Sequence, residues 1–327
     1  MDKSFEVLSI QFPLWCTELI NRAKQADCHL NWHSEASPNA WRHRLIWRSD
    51  ETSAVVTWLL GVAKLVSLCP LVRQNALCGV EISAEQPLSQ TVLDELAHLP
   101  QLDSITLPAV LPRLDMPGLL LMDMDSTAIE IECIDELAKL AGVGDKVAKV
   151  TELAMQGQLD FTQSLRQRVA TLAGADEAII GQLLQQLPLM SGLEQMVAEL
   201  QHYGWRVALA SGGFTPFVDA LRQRLGLDAA FANQLVIADN VLTGEVCGEI
   251  VDANRKAQIL IQLAEQFAIA PTQCVAIGDG ANDIPMVQQA ALGIAFHGKD
   301  KLKQRADAAI CQLDLQVLPF LLQQQGH

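Results

Sequence analysis

The chain has 327 residues, is 50% hydrophobic and carries a formal net charge of -15. The length suggests roughly two domains, and the acidic balance argues against nucleic acid or an anionic membrane as a partner. The eight cysteines form no C-x-x-C pair, which argues against a zinc or dithiol site and favours reduced, mostly core cysteines. The N-terminus lacks a signal-peptide pattern, and the longest apolar run, residues 54–63, is far shorter than a membrane span. We therefore expect a soluble, cytoplasmic protein.

Residues 1–110 show a mixed pattern that predicts a small α+β domain. Strands are indicated at 45–47 and 76–82, and a helix at 53–67. A further helix is expected after Pro87, where apolar residues follow at helical spacing. Residues 108–117 include three prolines and are the best linker candidate before a second domain at 117–327.

From residue 119 onward, short apolar runs alternate with helical segments. The runs cover residues 119–122, 207–210, 274–277, 293–296 and 308–311. This alternation predicts an α/β fold with a doubly wound parallel sheet. The helical insert at 133–187 predicts a cap over the carboxyl edge of the sheet, which leaves 117–132 and 188–327 as the core. Residues 233–250, with a turn signal at 239–240, predict a hairpin.

Each of the first three runs is followed by a short segment of polar or glycine residues. These residues are Asp123 and Asp125, then Ser211 and Gly212, then Asp279, Asn282 and Asp283. Lys256 opens the helix before the third run. The carboxyl ends of parallel strands meet at one edge of a sheet, so we expect these groups to converge there.

This combination predicts phosphoryl transfer through an aspartyl-phosphate with a divalent metal. Charge repulsion opposes attack of a carboxylate on a phosphate, and Mg²⁺ held by carboxylates removes that repulsion. Lys256 adds positive charge at a helix N-terminus, where the macrodipole disfavours a cation, so an anionic partner is expected. The Ser211-Gly212 segment is expected to form a turn whose N–H groups point at phosphate oxygens. Asp125 can protonate a leaving alkoxide and later activate water.

Each of these signals is weak when taken alone. An acidic pair can be a helix cap, Ser-Gly-Gly a simple turn, and a lone Lys a solvated charge. A phosphorylated receiver domain also uses a strand-end Asp and a Lys, but it needs neither a second acid two residues later nor a cap. A non-catalytic amino-acid sensor built on residues 1–110 is a further alternative.

The segments DMDST, ASGGF, Lys256 and GDGAND match, in this order, the four motifs of the haloacid dehalogenase superfamily. The chain resembles that superfamily over about residues 119–314. More narrowly, IECIDELAKLAG, FTQSLRQRV and GDGANDIPM resemble its phosphoserine phosphatases. The resemblance implies a haloacid dehalogenase-like core, Mg²⁺ and hydrolysis of O-phospho-L-serine, the last step of serine biosynthesis. It also implies an ACT-like regulatory N-terminal domain, and it leaves open a phosphatase or phosphotransferase for another small phosphomonoester.

The resemblance further implies a role for each matching residue. Asp123 would be the nucleophile, and Asp125 the general acid and base. The metal would be held by Asp123, Asp125, Asp279 and Asp283. The substrate would be bound by Glu132 (ammonium), Arg168 (carboxylate), Met155 and Phe161 in the cap, and by Ser211, Gly212, Lys256 and Asn282 around the phosphoryl group.

The residues themselves support Arg168. Leu165, Arg168 and Leu172 lie on one helical face with Phe161, whereas Arg166 falls outside it. An Arg in an apolar stripe needs an anionic partner, either a substrate carboxylate or a structural acid.

Spacing does not choose between Glu130 and Glu132, which point to the same side; only the resemblance selects Glu132. Cys133 is interpreted as a packing residue. The expected partner is a small molecule, and the oligomeric state stays open, with a homodimer as one option.

Overall fold

The computed structural model describes residues 13–33, 40–73, 75–96 and 98–323. It divides into two compact units, with the boundary between Val110 and Leu111.

The first unit is an α+β domain with a five-stranded sheet in the order β1-β3-β4-β2-β5. Its elements are α1 Leu14–Gln25, β1 Asn31–Trp32, β2 Trp41–Arg48, α2 Thr52–Val62, β3 Ser67–Leu71, β4 Leu77–Ala84, α3 Gln90–Asp94 and β5 Leu102–Thr106. Leu45, Trp47 and Val80 of the sheet share a buried core with Leu19 of α1 and Leu59 of α2. The helix expected at 53–67 ends at Val62, because the chain turns there and Ser67 already belongs to β3.

The second unit contains a seven-stranded sheet and a helical insert. Its elements are β6 Leu119–Met122, α4 Cys133–Leu140, α5 Gly144–Met155, α6 Phe161–Ala170, α7 Ala178–Gln185, α8 Leu193–His202, β7 Arg206–Phe214, α9 Thr215–Leu225, β8 Ala229–Ala238, β9 Val241–Cys247, α10 Ala253–Gln266, β10 Cys274–Gly278, α11 Ile284–Gln289, β11 Leu292–Phe296, α12 Asp300–Lys303 and β12 Ala308–Ile310.

The sheet of the second unit runs β12-β11-β10-β6-β7-β8-β9. All pairs from β12 to β8 are parallel, and β9 pairs with β8 in the antiparallel sense. Leu119 and Leu121 of the central strand β6 pack in one core with α10 and α11, while Leu120 and Met122 are equally buried on the other face. Burial on both faces explains why β6 reads as an unbroken apolar run. The prediction of a doubly wound α/β fold is confirmed.

Helices α4–α7 form the helical insert between β6 and α8, and we refer to this insert as the cap. The two chain segments that join it to the core run side by side: Met190 N donates to Ala128 O at 2.9 Å, and Glu130 N donates to Pro188 O at 3.1 Å. The cap therefore leaves and re-enters the core at one place.

Strands β8 and β9 form the expected hairpin, and Asp239 and Asn240 both have positive φ, 51° and 62°. This is the backbone that a two-residue type I′ turn requires. The hairpin also contacts the cap, since Gly174 N donates to Leu242 O at 2.8 Å and Leu242 N to Ala175 O at 2.9 Å.

Among the described residues, no helix is long and apolar enough to cross a membrane. All eight cysteines are free. Cys16, Cys133 and Cys274 are buried, but Cys247 and Cys311 are exposed and the other three are partly exposed, so the expectation of mostly core cysteines is wrong.

Candidate active site

The parallel register of three central strands brings their carboxyl ends together. Leu121 of β6 lies between Ala276 of β10 and Ala208 of β7, so the residues that follow these strands share one edge. Asp123 N donates to Ile277 O at 3.0 Å, which extends the ladder beyond β6 and fixes the backbone of this aspartate. The expected convergence at the sheet edge is therefore present.

Lys256 lies between two carboxylates at this edge. Its Nζ is 2.7 Å from Asp123 Oδ2 and 2.8 Å from Asp283 Oδ1. The Lys256 side chain is 1% exposed, so its charge interacts with these groups rather than with water. Burial lowers the pKa of Lys256, but Asp123 and Asp283 outweigh that effect and raise the pKa above its ordinary value. These are the anionic partners expected for a cation near a helix N-terminus.

Asp283 organises the loop after β10. Its Oδ2 accepts hydrogen bonds from Gly280 N at 3.0 Å and from Asp279 N at 3.2 Å, and the residue is fully buried. Asn282 Nδ2 lies 3.4 Å from Asp123 Oδ2, which brings the same loop to the strand-end aspartate.

Carboxylate oxygens of Asp123, Asp279 and Asp283 lie within 4.8 Å of one another, and we call these three residues the acidic cluster. Burial and the charge of Asp283 raise the pKa of Asp123, against the opposing effect of Lys256. Burial, with Asp283 and Glu132, raises the pKa of Asp279 to about 6. The cluster thus concentrates more negative charge than Lys256 balances, and hard oxygen donors of this kind suit a divalent cation such as Mg²⁺.

Asp125 has a different environment from Asp123. Its Oδ1 accepts a hydrogen bond from Cys133 N at 3.1 Å. Burial and then the negative charge of Glu132 raise the pKa of Asp125 to about 7. A carboxyl group with that pKa can carry or accept a proton near neutral pH.

The Ser211-Gly212-Gly213 segment is not the turn that was expected. It is part of β7, which continues to Phe214, and the register with β8 shifts between Ala210 and Phe214. Ser211 is fully buried, and its Oγ accepts a hydrogen bond from Gly213 N at 2.8 Å. Because residues 212 and 213 lack side chains, neighbouring groups can approach their backbone closely. These glycines are not required for unusual dihedral angles.

Phe161 brings the cap onto this segment. A Cβ atom added to Gly212 would lie 2.8 Å from Phe161 Cζ, and one added to Gly213 would lie 2.8 Å from Asp125 Oδ2. Helix α6 begins at Phe161, and Asp160 caps it by accepting from Gln163 N at 2.8 Å. The first turn of α6 therefore lies over the carboxyl end of β7.

Arg168 lies on the same helix as Phe161. Arg166 is exposed and Arg168 is partly buried, as the helical spacing predicts. Arg168 Nε is buried and has no hydrogen-bond partner among the described residues. Burial lowers the pKa of Arg168, and the charges of Asp135, Glu132 and Asp125 oppose that shift. A buried guanidinium donor without a partner suits an anionic ligand.

Glu132 is the N-cap residue of α4 and is exposed. Ser126 Oγ donates to Glu132 Oε1 at 3.0 Å, whereas the exposed Glu130 side chain makes no such hydrogen bond within the part of the chain that the structure describes. Ser126 has a positive φ of 56°, which is uncommon for a residue with a side chain. The contact joins the loop of Asp123 and Asp125 to the start of the cap.

The side chain of Met155 lies outside the described part of the structure.

Cys133 is fully buried, and burial raises the pKa of its thiol, which suits packing rather than nucleophilic attack. Asn233 was not singled out from the sequence, because its partners Gly212 and Val251 are 21 and 18 residues away and no local pattern marks it. Ser126 and Gly213 lie within the DMDST and ASGGF segments, but the sequence alone assigns them no role.

Residues 118–291 match the family model described as haloacid dehalogenase-like hydrolase. A curated relative from Haemophilus influenzae, named phosphoserine phosphatase, is 54% identical over 211 residues, covering 64% of this chain and 67% of the relative.

Two solved structures extend the comparison. A probable phosphoserine phosphatase from Vibrio cholerae, in unliganded form, superimposes with a TM-score of 0.75 at 40% identity and covers 93% of this chain and 92% of that chain. A structure described as a phospho-aspartyl intermediate analogue of phosphoserine phosphatase has a TM-score of 0.59 at 42% identity, covering 63% of this chain and 99% of that chain.

Proposed function

This chain belongs to the haloacid dehalogenase-like hydrolases, and from that premise we propose that it is a phosphoserine phosphatase. The reaction is hydrolysis of O-phospho-L-serine to serine and inorganic phosphate. The observation that carries the proposal is the pairing of Asp123 with Lys256 at 2.7 Å beneath a cap helix that holds a buried, unpartnered Arg168 donor. The first feature suits a phosphoryl group and the second a carboxylate on the same small molecule.

Asp123 is the nucleophile in this proposal. Its Oδ1 accepts from Met124 N at 2.7 Å, and its Oδ2 contacts Lys256, so the carboxylate is held in one orientation. A carboxylate oxygen of Asp123 forms a bond to phosphorus while the bond between phosphorus and the seryl oxygen breaks. Lys256, Ser211 and the backbone near Gly212 hold the phosphoryl oxygens, with Asn282 beside them.

Asp125 moves the proton in both halves of the reaction. With a pKa of about 7 it can be protonated near neutral pH and give its proton to the seryl alkoxide. It then takes a proton from water, whose oxygen attacks phosphorus and releases phosphate and the Asp123 carboxylate. Burial of Asp125 supports this role, because it keeps the carboxyl pKa within reach of both steps.

The acidic cluster would hold Mg²⁺, with the backbone carbonyl of Asp125 as a further ligand. The three carboxylates fit such an ion in donor type and mutual distance. When bound, the ion would neutralise charge between the attacking carboxylate and the phosphate.

Glu132 and Arg168 recognise the serine head group in this proposal. Glu132 offers a negative charge to the ammonium, and Arg168 offers a planar donor pair to the carboxylate. Ser126 restrains Glu132 through its hydrogen bond, and Phe161 covers the phosphoryl end of the pocket.

The test is phosphate release from phosphoserine, phosphoglycolate and p-nitrophenyl phosphate, with Mg²⁺ and after EDTA treatment. We expect the highest kcat/KM with phosphoserine, loss of turnover in EDTA, and recovery on adding Mg²⁺. Equal kcat/KM for phosphoserine and phosphoglycolate would instead support a phosphatase of another small phosphomonoester.

A further inference from the structure

We propose that Asn233 is a positioning residue for the phosphoryl site. Its side-chain amide joins the two chain segments that carry Gly212 and Lys256. The inference rests on the proposed function, because those segments hold a phosphoryl group only if the site acts on a phosphate ester.

Asn233 lies in β8 and is fully buried. Its Nδ2 donates to Gly212 O at 2.8 Å, and its Oδ1 accepts from Val251 N at 2.9 Å. Val251 directly precedes Asp252, which caps α10 by accepting from Arg255 N at 2.8 Å. Lys256 lies in the first turns of that helix. The amide group of Asn233 therefore connects the end of β7 to the start of the helix that carries Lys256.

The need for an amide follows from the irregular pairing of β7 with β8. The two strands pair regularly up to Ala210 and again at Phe214, which is opposite Asn233, with a register shift between these points. The Gly212 carbonyl lies within the shifted stretch, and the Asn233 side chain supplies its hydrogen bond. A neutral amide offers a donor and an acceptor on one rigid plane, which neither a carboxylate nor an alkyl group does.

Loss of this bridge would free the Ser211–Gly213 segment and the start of α10 to separate. The groups affected hold the phosphoryl part of the substrate, which is common to all phosphomonoesters. We therefore expect a defect that does not depend on the alcohol part of the ester, unlike a change at Arg168.

The experiment compares Asn233→Leu with the matched control Gln273→Leu in the full chain. Gln273 is also a buried amide that bridges backbone groups, since its Oε1 accepts from Arg113 N at 2.7 Å and its Nε2 donates to Arg113 O at 3.0 Å. It lies just before β10, at the sheet edge opposite the acidic cluster. Both variants should lower Tm, so stability alone does not separate them.

We measure kcat/KM for phosphoserine and p-nitrophenyl phosphate, and the binding of inorganic phosphate by calorimetry. Asn233→Leu should lose about ten- to hundredfold in kcat/KM with both esters and bind phosphate correspondingly less tightly. Gln273→Leu should keep near-wild-type values of both. If Asn233→Leu does not fold, Asn233→Ser, which is too short to bridge both backbone groups, should show the same ester-independent loss.

Equal losses in the two Leu variants, or a loss confined to phosphoserine, would overturn the positioning role. Failure of the proposed function is a separate result, because it would appear as absent turnover by the unmodified protein. Phosphate binding by Asn233→Leu relative to the unmodified chain still tests Asn233 in that case, and unchanged binding would count against it.

Discussion

Lys256 contacts two carboxylates, Asp123 at 2.7 Å and Asp283 at 2.8 Å, in a place that water scarcely reaches. Removing one partner of a buried ion pair normally leaves the other charge uncompensated, which is strongly destabilising. Because Asp283 still pairs with Lys256 when Asp123 is replaced, a loss of activity in an Asp123 variant can be attributed to the chemical step rather than to unfolding.

Asp123→Asn should reduce phosphate release by more than about a thousandfold, because an amide does not form the phosphoryl-enzyme bond. The fold should persist, since Asp283 still pairs with Lys256 and the Asn oxygen can still accept from Met124 N. Single-turnover phosphate release and thermal unfolding measure the two effects. Turnover retained in a folded Asp123→Asn protein would refute the nucleophile assignment.

Arg168→Lys should raise KM for phosphoserine by about tenfold or more, because a lysine ammonium does not replace a bidentate guanidinium contact. KM for p-nitrophenyl phosphate, which has no carboxylate, should change little. Arg166→Lys is the matched control, since Arg166 is on the same helix and exposed. Equal increases in KM for both esters would argue against a carboxylate contact.

Single residues differ in how far their sequence reveals them. Arg168 follows from helical spacing, because that pattern is local to one element. The choice between Glu130 and Glu132 does not follow from spacing, and the hydrogen bond from Ser126 distinguishes them only in three dimensions. Asn233 bridges groups 21 and 18 residues away, so no periodic signal marks it.

At the scale of elements, the hairpin of β8 and β9 supports helix α6. Gly244 of β9 has a positive φ of 86°, and a Cβ there would lie 2.8 Å from Ala173 Cβ and 3.3 Å from Ala170 Cα. Ala170 ends the helix that carries Phe161 and Arg168. The cap helix therefore approaches the core hairpin as closely as a glycine allows.

Gly244→Ala should destabilise the protein by about 1–3 kcal/mol and raise KM for phosphoserine, because the added methyl group pushes α6 from its position. Thermal unfolding and steady-state kinetics check these two effects. Gly248→Ala separates backbone strain from crowding: Gly248 also has positive φ, 77°, but nothing lies within 4 Å of its added Cβ. A KM that rises equally in both variants would show that strain, not contact with α6, is responsible.

Elements were predictable where one pattern continues over a whole strand or helix. The central strands β6 and β10 are buried on both faces and read as continuous apolar runs. Strand β1 has two residues, too few to show a period. The Ser211–Gly213 segment was mistaken for a turn, because Ser and Gly favour turns locally and its strand partners belong to distant parts of the chain.

At the scale of the whole molecule, the two units can be followed separately. Five of the six tryptophans, residues 15, 32, 41, 47 and 58, belong to the first unit, and Trp205 belongs to the second. Intrinsic fluorescence therefore reports mainly on the first unit, and phosphatase activity on the second.

The first unit should lose stability as pH falls from about 6.5 toward 4. His43 is 2% exposed and hydrogen-bonded to Thr106 and Ser104, and burial lowers its pKa from 6.5 to about 4. In this window the unfolded chain binds a proton at His43 that the folded chain does not. The contribution of neutral His43 to the free energy of unfolding is therefore fully present above pH 6.5 and decreases as the pH falls below it. The contribution lost between pH 7 and pH 5 is about 2 kcal/mol.

Urea unfolding followed by tryptophan fluorescence at pH 7 and pH 5 measures this effect. The variant His43→Gln has no titrating group at this position. Between pH 7 and pH 5 its free energy of unfolding should fall by about 2 kcal/mol less than that of the unmodified protein. Identical pH dependences in the two proteins would mean that His43 does not resist protonation in the folded state.

The cap leaves the core at Ala128 and returns at Met190, and the backbones of these two residues are joined by a hydrogen bond of 2.9 Å. Because the two ends of the insert lie next to each other, a change in the length of the insert does not shift the register of any strand in the sheet. The insert can be lengthened, shortened or exchanged in the course of evolution while the strands that carry Asp123, Ser211 and Asp279 keep their pairing. In the proposed function, the groups that recognise the serine head group and the groups that transfer the phosphoryl group are thus inherited on separable parts of one chain.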